Sequence, residues 1–322
     1  YGNSLSLDNL LNNLIQASSG TERDKGTRFE TLIRDWLTEE PTYRDLFTEV
    51  LTYKDWSGQH PELVSSGRDI GIDLVGVNSD GNGYTAIQCK FYDKEATVTK
   101  AGVDSFIASS NKPFFTKRFL VATNEHWTDP VKEEFRRQTP PVTLITRETL
   151  ASSTVDWAAY QRGELKEVAK RTPRDYQKEA IKKVISGFKT ASKGKLIMAC
   201  GTGKTYTSLK IAEEQAGAGK LVLFLVPSLS LLSQTLTDWK QQCIYPINAF
   251  AVCSDSSTGK AGLEDLESLT VGSELAYPAT TDARSLCKQI KAAKEKKDAM
   301  TVVFSTYQSI DVIHQAQTQE ID

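Results

Sequence analysis

The 322-residue sequence predicts two successive α/β domains, and three patterns carry that expectation. The first half opens with helical apolar spacing and then turns into a glycine-rich hairpin. The second half alternates strands with helices, and a polar stretch lies between the halves. Leu7, Leu10, Leu11, Leu14 and Ile15 recur at helical spacing, as do Phe29, Leu32, Ile33, Trp36 and Leu37. Tyr43, Leu46, Phe47 and Val50 read as a third amphipathic segment. The runs Ile70 to Val77 and Tyr84 to Phe91 read as strands, and Asn78-Ser79-Asp80-Gly81-Asn82-Gly83 between them is turn chemistry, so the pair forms a hairpin. A helix near Val103 to Ala108, a strand over Phe119 to Thr123, a helix after Pro130 and a strand over Val142 to Thr146 complete a first domain over 1–155. Residues 156–172 read as a polar linker. From Pro173 onward come a helix, a strand at Leu196–Ala199, a helix over Tyr206 to Gln215, a strand at Leu221–Val226, a helix from Ser228, and strands at Ile247–Val252 and Thr301–Phe304. Such alternation over 173–322 predicts a parallel, doubly wound sheet.

Composition narrows the class. With 39% apolar and 25% charged residues the chain suits a globular protein, and no apolar run is long enough to span a bilayer. Neither a membrane anchor nor a signal peptide is visible, and the chain, beginning at Tyr1, reads as a piece of a longer polypeptide. Five scattered cysteines (Cys89, Cys200, Cys243, Cys253, Cys287) with no C-x-x-C pair suggest reduced thiols in a cytoplasm and no zinc site. Net charge is −2, which argues against a general nucleic-acid binder. Residues 1–165 hold 18 Lys/Arg against 24 Asp/Glu, whereas 166–322 hold 21 against 17, so any tight grip on a polyanion belongs to the second half or to parts elsewhere.

Met198-Ala199-Cys200-Gly201-Thr202-Gly203-Lys204-Thr205 lies between an expected strand and an expected helix. Backbone N–H groups of such a turn, with the helix N-terminus, form a concave site for polyphosphate. Gly201, Thr202 and Gly203 build the loop, Lys204 reaches the β/γ-phosphates of ATP, and the Thr205 hydroxyl holds Mg²⁺. Met198 stands where G-x-x-x-x-G-K-[ST] has its first glycine, a relaxation common in helicase-like motors.

On the hairpin, Asp73 lies on the first strand, and Gln88-Cys89-Lys90 lies on the second. Gln88 and Lys90, two apart, share a strand face. A hard cation such as Mg²⁺ takes oxygen ligands, here from Asp73, the Gln88 amide and the Cys89 carbonyl, together with a DNA phosphate. The metal polarises the phosphate and acidifies a water, which Lys90 holds or deprotonates. Glu30, on the helix with Phe29 and Ile33, is a further carboxylate reaching the metal directly or through water. Asp69 is open between loop capping and catalysis.

Gly26-Thr27-Arg28-Phe29-Glu30, Gly71-Ile72-Asp73 and Ala86-Ile87-Gln88-Cys89-Lys90 resemble the Mrr-like branch of the PD-(D/E)xK restriction-endonuclease superfamily, over roughly residues 20–150. Thr172 to Ala180 resembles the adenine-reading Q-type motif of superfamily 2 helicases, which makes Gln177 the adenine contact and Arg174 its neighbour at the nucleotide. Leu223 to Thr235 resembles motif Ia, and Phe304 to Ile310 resembles motif Ib. In that superfamily these turns touch the DNA backbone, here through Ser228, Gln234, Thr306 and Ser309. The resemblance implies a restriction-endonuclease-like domain followed by a RecA-like lobe. No Asp-Glu pair of the expected DExx box occurs before Asp322, so the motor is incomplete and the chain alone is expected to bind ATP weakly without turning it over.

This order resembles the N-terminal region of single-polypeptide type I (type ISP) restriction-modification enzymes. The resemblance implies a bacterial, cytoplasmic enzyme acting on double-stranded DNA, with a second motor lobe, a methyltransferase and a target-recognition region downstream. It also implies that the nuclease nicks when translocating copies meet. Two other readings stay open: a repair or phage-defence helicase–nuclease without methyltransferase, and a remodelling motor with a non-cutting DNA-binding domain.

Overall fold

A computed structural model describes residues 2–17, 21–64, 71–253 and 275–318. The chain forms two compact units, Tyr1–Val168 with Gly272–Pro278, and Ala169–Val271 with Ala279–Asp322.

The first unit opens with α1 (Gly2–Ala17) and α2 (Glu22–Glu39). Thr21 caps α2 by accepting from the Asp24 N–H, and Glu22 and Asp24 complement the helix dipole in its first turn. Phe29, Leu32, Ile33, Trp36 and Leu37 are buried, as their spacing predicts. Next come β1 (Phe47–Thr52), α3 (Tyr53–Gln59), β2 (Leu74–Asn78), β3 (Tyr84–Lys90) and the short β4 (Thr97–Val98). Then follow α4 (Asp104–Ser110), β5 (Phe115–Ala122), the short β6 (His126–Trp127), α5 (Asp129–Arg137), β7 (Val142–Ile145), α6 (Arg147–Ala151) and α7 (Trp157–Gln161). The main sheet has the order β1-β2-β3-β5-β7. Its first three strands are antiparallel, while β3, β5 and β7 run parallel. One face (Val75, Ala86, Leu120, Leu144) packs with Phe106 of α4 and Val131 and Phe135 of α5. The helix α2 packs on β1 and β3.

Two features differ from expectation. The segment around Tyr43 to Val50 is a 3₁₀ turn (Arg44–Leu46) leading into β1, not a helix. Its residues pair with β2, Val50 opposite Gly76, and the Tyr43 and Phe47 rings pack on Phe119 at 6.0 and 5.8 Å. Tertiary pairing outweighs the local period here. The polar stretch expected as a linker over 156–172 is folded into the first unit as far as Val168. Asp156 N–H donates to Lys166 O (2.8 Å), Val168 N–H to Thr154 O (2.6 Å), and Trp157, fully buried, donates from Nε1 to Leu150 O (3.0 Å). The return segment Leu275–Pro278 also belongs here: Tyr43 Oη donates to Ala276 O (2.5 Å), and the Tyr277 ring stacks with Tyr43 at 6.4 Å.

The hairpin forms as expected. Gly81 and Gly83 take positive φ (+70° and +67°), and a Cβ at Gly83 would lie 2.5 Å from Phe114 O, so only glycine fits. Asp69 and Ile70 lie outside the described residues.

The second unit holds α8 (Asp175–Gly187), α9 (Lys204–Gln215), β8 (Leu221–Val226), α10 (Leu229–Gln242), β9 (Ile247–Val252), β10 (Ala279–Thr280), α11 (Ala283–Ala293), β11 (Met300–Thr306) and α12 (Ile310–Thr318). The sheet β10-β9-β11-β8 is parallel throughout, as the alternation predicts. Phe224, Trp239 and Phe304 meet in its core at 4.8–6.1 Å. Leu196–Ala199, expected as a strand, is not one: among the described residues no strand pairs with it, and Ile197 is 84% exposed. An apolar run becomes a strand only when a neighbour satisfies its backbone groups, and β8, at the sheet edge, pairs only with β11 among the described residues.

Candidate functional site

In the first unit the expected acid, amide and lysine gather where β2 and β3 part. Asp73 sits one residue before β2, not on it; its N–H donates to Ile87 O (3.0 Å), and its O accepts from Tyr53 N–H (2.9 Å). Its Oδ2 accepts the Cys89 N–H at 2.7 Å. The Asp73 carboxylate thus fills the place that the next backbone carbonyl of the ladder would take, which fixes it against β3. Leu74 pairs with Ile87, so Asp73 comes opposite Gln88, and Gln88 follows Ala86 on the sheet face of the Val75–Ala86 pair.

Gln88 is 1% exposed, and its Oε1 is buried with no hydrogen-bond partner among the described residues. An unmet buried acceptor costs about 1–3 kcal/mol, and an oxygen-seeking cation would relieve it. Gly71 makes room for this amide. A Cβ there would meet Gln88 Nε2 at 3.4 Å and Ser105 Oγ at 3.1 Å, and its φ is +84°. Lys90, half-buried, ends β3, its carbonyl accepting from Thr123 N–H at 3.2 Å.

Glu30 reaches this corner from α2. The Cys89 thiol is pushed well above its ordinary pKa by burial, then by the carboxylates of Asp73 and Glu30, with Lys90 pulling weakly the other way. Asp73, Glu30 and Lys90 are thus each within electrostatic reach of the Cys89 thiol. Among the described residues no three His, Cys, Asp or Glu side chains group to hold a metal. The donor set at this corner instead mixes carboxylate with amide and carbonyl oxygens, which suits Mg²⁺ and not zinc.

The second unit contains a cleft of about 320 Å³ lined by Arg171, Thr172, Arg174, Tyr176, Gln177, Gly201, Thr202, Gly203 and Tyr206. Gly201 and Gly203 take φ of +75° and +77°, and α9 begins at Lys204, so the loop opens directly onto a helix N-terminus. Lys204, exposed, folds its Nζ onto Ala199 O (3.2 Å), and Thr202 Oγ1 donates to the same carbonyl (2.7 Å). Thr205 is half-buried, its carbonyl accepting from Trp239 Nε1 at 3.0 Å. Gln177 lines the cleft, but its amide is engaged at both ends: Oε1 accepts Arg174 N–H (2.9 Å), and Nε2 donates to Thr202 O (3.0 Å). In this state it ties α8 to the loop.

The residues expected at a DNA backbone divide. Ser228, exposed, caps α10 by accepting from Leu231 N–H at 3.3 Å, and Gln234 is exposed one turn on. Thr306 and Ser309 are 5% and 0% exposed, and their hydroxyls bond each other at 2.9 Å. They close a turn from the inside; what that turn shows to solvent is Tyr307 (56% exposed) and Gln308. Sequence reasoning passed over these two, and also Arg171, Tyr176 and Tyr206 at the cleft. The Tyr176-Gln177 adjacency was the available signal, whereas Arg171 and Tyr206 meet only through the fold. Among the described residues no helix is long and apolar enough to cross a membrane.

Residues 38–167 match an Mrr-type catalytic family described as a restriction endonuclease, and residues 170–322 match the res subunit of type III restriction enzymes. No curated protein sequence matches the chain. Among solved structures, the ATP-dependent type ISP restriction-modification enzyme LlaBIII bound to DNA is 31% identical over 97% of this chain, with a TM-score of 0.75. The match spans 19% of LlaBIII, so the chain covers about a fifth of that enzyme's length. A nuclease-deletion mutant of the type ISP enzyme LlaGI, in complex with a DNA substrate mimic, is 41% identical over 47% of this chain and 14% of its own, at a TM-score of 0.38. With its nuclease corner, its phosphate loop and these two family matches in that order, the chain joins a restriction-endonuclease domain to a helicase-like ATPase domain, and over nearly its whole length it is similar to the type ISP restriction-modification enzyme LlaBIII.

Proposed function

We propose that the chain is the DNA-cutting and first motor portion of an ATP-driven restriction enzyme of the bacterial cytoplasm, cleaving phosphodiester bonds at the Asp73–Gln88–Lys90 corner with Mg²⁺. The observation that carries this reading is the corner itself: a braced carboxylate opposite a buried amide oxygen that has no hydrogen-bond partner among the described residues. Asp73, Gln88 and the Cys89 carbonyl would hold the metal, with Glu30 as a further ligand directly or through water. When bound, Mg²⁺ supplies Lewis-acid polarisation of the phosphate and a more acidic water. Asp73 is oriented by the Cys89 N–H, which donates to its Oδ2. Lys90 Nζ holds the attacking water or takes its proton, and offsets the charge that builds on the phosphate. The Asp73 backbone is held on both sides, by Ile87 of β3 and by Tyr53 at the start of α3, so the carboxylate meets substrate already placed.

In the second unit ATP would enter the cleft at Gly201–Thr205. Lys204 leaves Ala199 O for the β/γ-phosphates, the Thr205 hydroxyl takes Mg²⁺, and Gln177 and Arg174 line the adenine end. Ser228 and Gln234 stand at the DNA track. The acidic balance of residues 1–165 supports a nuclease that grips duplex DNA poorly until a motor delivers it. LlaBIII is an ATP-dependent type ISP restriction-modification enzyme bound to DNA; on the reading proposed for this chain, a further motor lobe, a methyltransferase and a target-recognition region belong to the same polypeptide, and a second translocating copy takes part in cutting.

The test is plasmid cleavage by the full-length enzyme with and without ATP. Asp73→Ala should abolish cutting while ATP hydrolysis persists, and Lys204→Ala should abolish both. Cutting that survives Asp73→Ala, or that ignores ATP, contradicts the reading.

A further inference from the structure

We propose that Tyr206 is a positioning residue that ties the phosphate loop to the segment Lys170–Arg174, so that nucleotide binding at the loop is transmitted to the stretch where the chain enters this unit. The inference rests on the nucleotide reading given above and adds to it a coupling element within the second unit.

Tyr206 lies two residues beyond Lys204, in the first turn of α9, so it moves with the loop as one rigid piece. It is only 4% exposed, yet its hydroxyl donates to Arg171 O at 2.5 Å. Two cations lie over its ring, the Arg171 guanidinium at 5.1 Å and Lys210 Nζ at 5.2 Å from the centroid. Such cation–π contacts orient the ring as well as hold it. Burial, then Glu213, raise the phenol's pKa, so the hydroxyl stays a donor at neutral pH.

The segment that Tyr206 grips is held on its other side by α10. Arg171 N–H donates to Gln242 Oε1 (2.8 Å), its guanidinium pairs with Asp238, and Lys170 Nζ donates to Cys243 O (2.6 Å). Three residues on, the chain returns to the loop: Arg174 N–H meets Gln177 Oε1, while Gln177 Nε2 and Tyr176 Oη (3.2 Å) both donate to Thr202 O. The contacts close a ring, from Thr202 through Gln177 and Arg174 to Arg171, then through Tyr206 back along α9 to the loop. The cleft lies inside this ring, lined by both arms. A phosphate that draws Lys204 and the first turn of α9 inward therefore pulls on Arg171 through one buried hydrogen bond. Among the described residues no other side chain of α9 hydrogen-bonds residues 170–174.

The experiment is residue-resolved hydrogen exchange on the full chain, with and without Mg²⁺ and a non-hydrolysable ATP analogue, comparing the parent with Tyr206→Phe. Phenylalanine keeps the ring and its two cation contacts, so the fold is retained, and an unchanged thermal melt checks this. In the parent, the analogue should slow exchange at residues 201–205 and also at Arg171, Thr172 and Arg174. In Tyr206→Phe at saturating analogue, the slowing at 201–205 should persist, while that at 171–174 falls at least threefold. Full slowing at 171–174 in the variant overturns the proposal. Absence of slowing at 201–205 in the parent overturns the nucleotide reading instead. Tyr206 is then judged without nucleotide: roughly fivefold faster exchange at Arg171 and Thr172 in the variant supports its positioning role, and unchanged exchange overturns it.

Discussion

Replacing Gln88 by methionine should stabilise the metal-free protein and destroy its response to Mg²⁺. The side chain is 1% exposed, and its Oε1 has no hydrogen-bond partner among the described residues. A buried acceptor left unmet costs about 1–3 kcal/mol, whereas a swap of similar shape and volume costs under about 1.5 kcal/mol. The net expectation in EDTA is a gain of about 1 kcal/mol, or roughly 2–4 °C in the melting of a unit of this size. Added Mg²⁺ reverses the order. A ligand at one hundred times its Kd stabilises the parent by about 2.7 kcal/mol, and the methionine variant, lacking the amide oxygen, should lose most of that increment. Urea unfolding in EDTA and in Mg²⁺, without nucleotide, reads both terms, and the crossing of the two proteins' stabilities is the signature. A variant less stable than the parent in EDTA by 1 kcal/mol or more would show that the amide is already satisfied. An unchanged Mg²⁺ increment would remove Gln88 from the metal site.

Further outcomes follow from the same geometry. Gly83→Ala meets both a positive φ of +67° and a Cβ contact of 2.5 Å with Phe114 O, whereas Gly81→Ala meets only its φ of +70°. Denaturant unfolding should show about 1–2 kcal/mol lost at Gly81 and clearly more at Gly83; equal losses would contradict the hairpin packing. Lys204→Ala, at an exposed side chain, should leave stability within about 0.5 kcal/mol while weakening a fluorescent ATP analogue more than tenfold by titration, and undiminished binding would move the phosphates elsewhere. Thiol labelling at pH 8 should modify exposed Cys200 first and spare Cys243, whose thiol burial pushes up to about 12. Because that pKa is raised on folding, the proton's stabilising contribution is complete below the unfolded value near 8.5 and is lost as pH climbs towards 12. Cys243→Ala should therefore flatten the fall in stability above about pH 9, and parallel profiles for variant and parent would refute the burial argument.

Much of this architecture was legible because its local and tertiary demands agree. Phe29, Leu32, Ile33 and Trp36 announce α2, and Gly81 and Gly83 announce the hairpin that brings β3 beside Asp73. The second unit's alternation was equally plain. Where the reading failed, long-range pairing decided. The helical period of Tyr43 to Val50 yields to a strand because β2 offers it a partner, and Leu196–Ala199 lacks one among the described residues. Trp157 hid a folded segment inside a polar stretch, since one buried indole is enough to anchor α7. At the sites, the residue types of the loop and of the nuclease corner were visible as spacing. The burial of Thr306 and Ser309 was not, because a hydroxyl in a turn looks the same whether it faces DNA or a neighbouring hydroxyl. The pairing of Tyr206 with Arg171, 35 residues apart, has no local signature.

The central claim is that one divalent ion is shared across the open end of β2 and β3. Anomalous diffraction from crystals soaked in Mn²⁺ locates that ion without relying on turnover. The account predicts a single strong peak within about 2.0–2.6 Å of both the Asp73 carboxylate and Gln88 Oε1, absent from Asp73→Ala crystals. A peak coordinated by other residues, or none there at millimolar Mn²⁺, contradicts it.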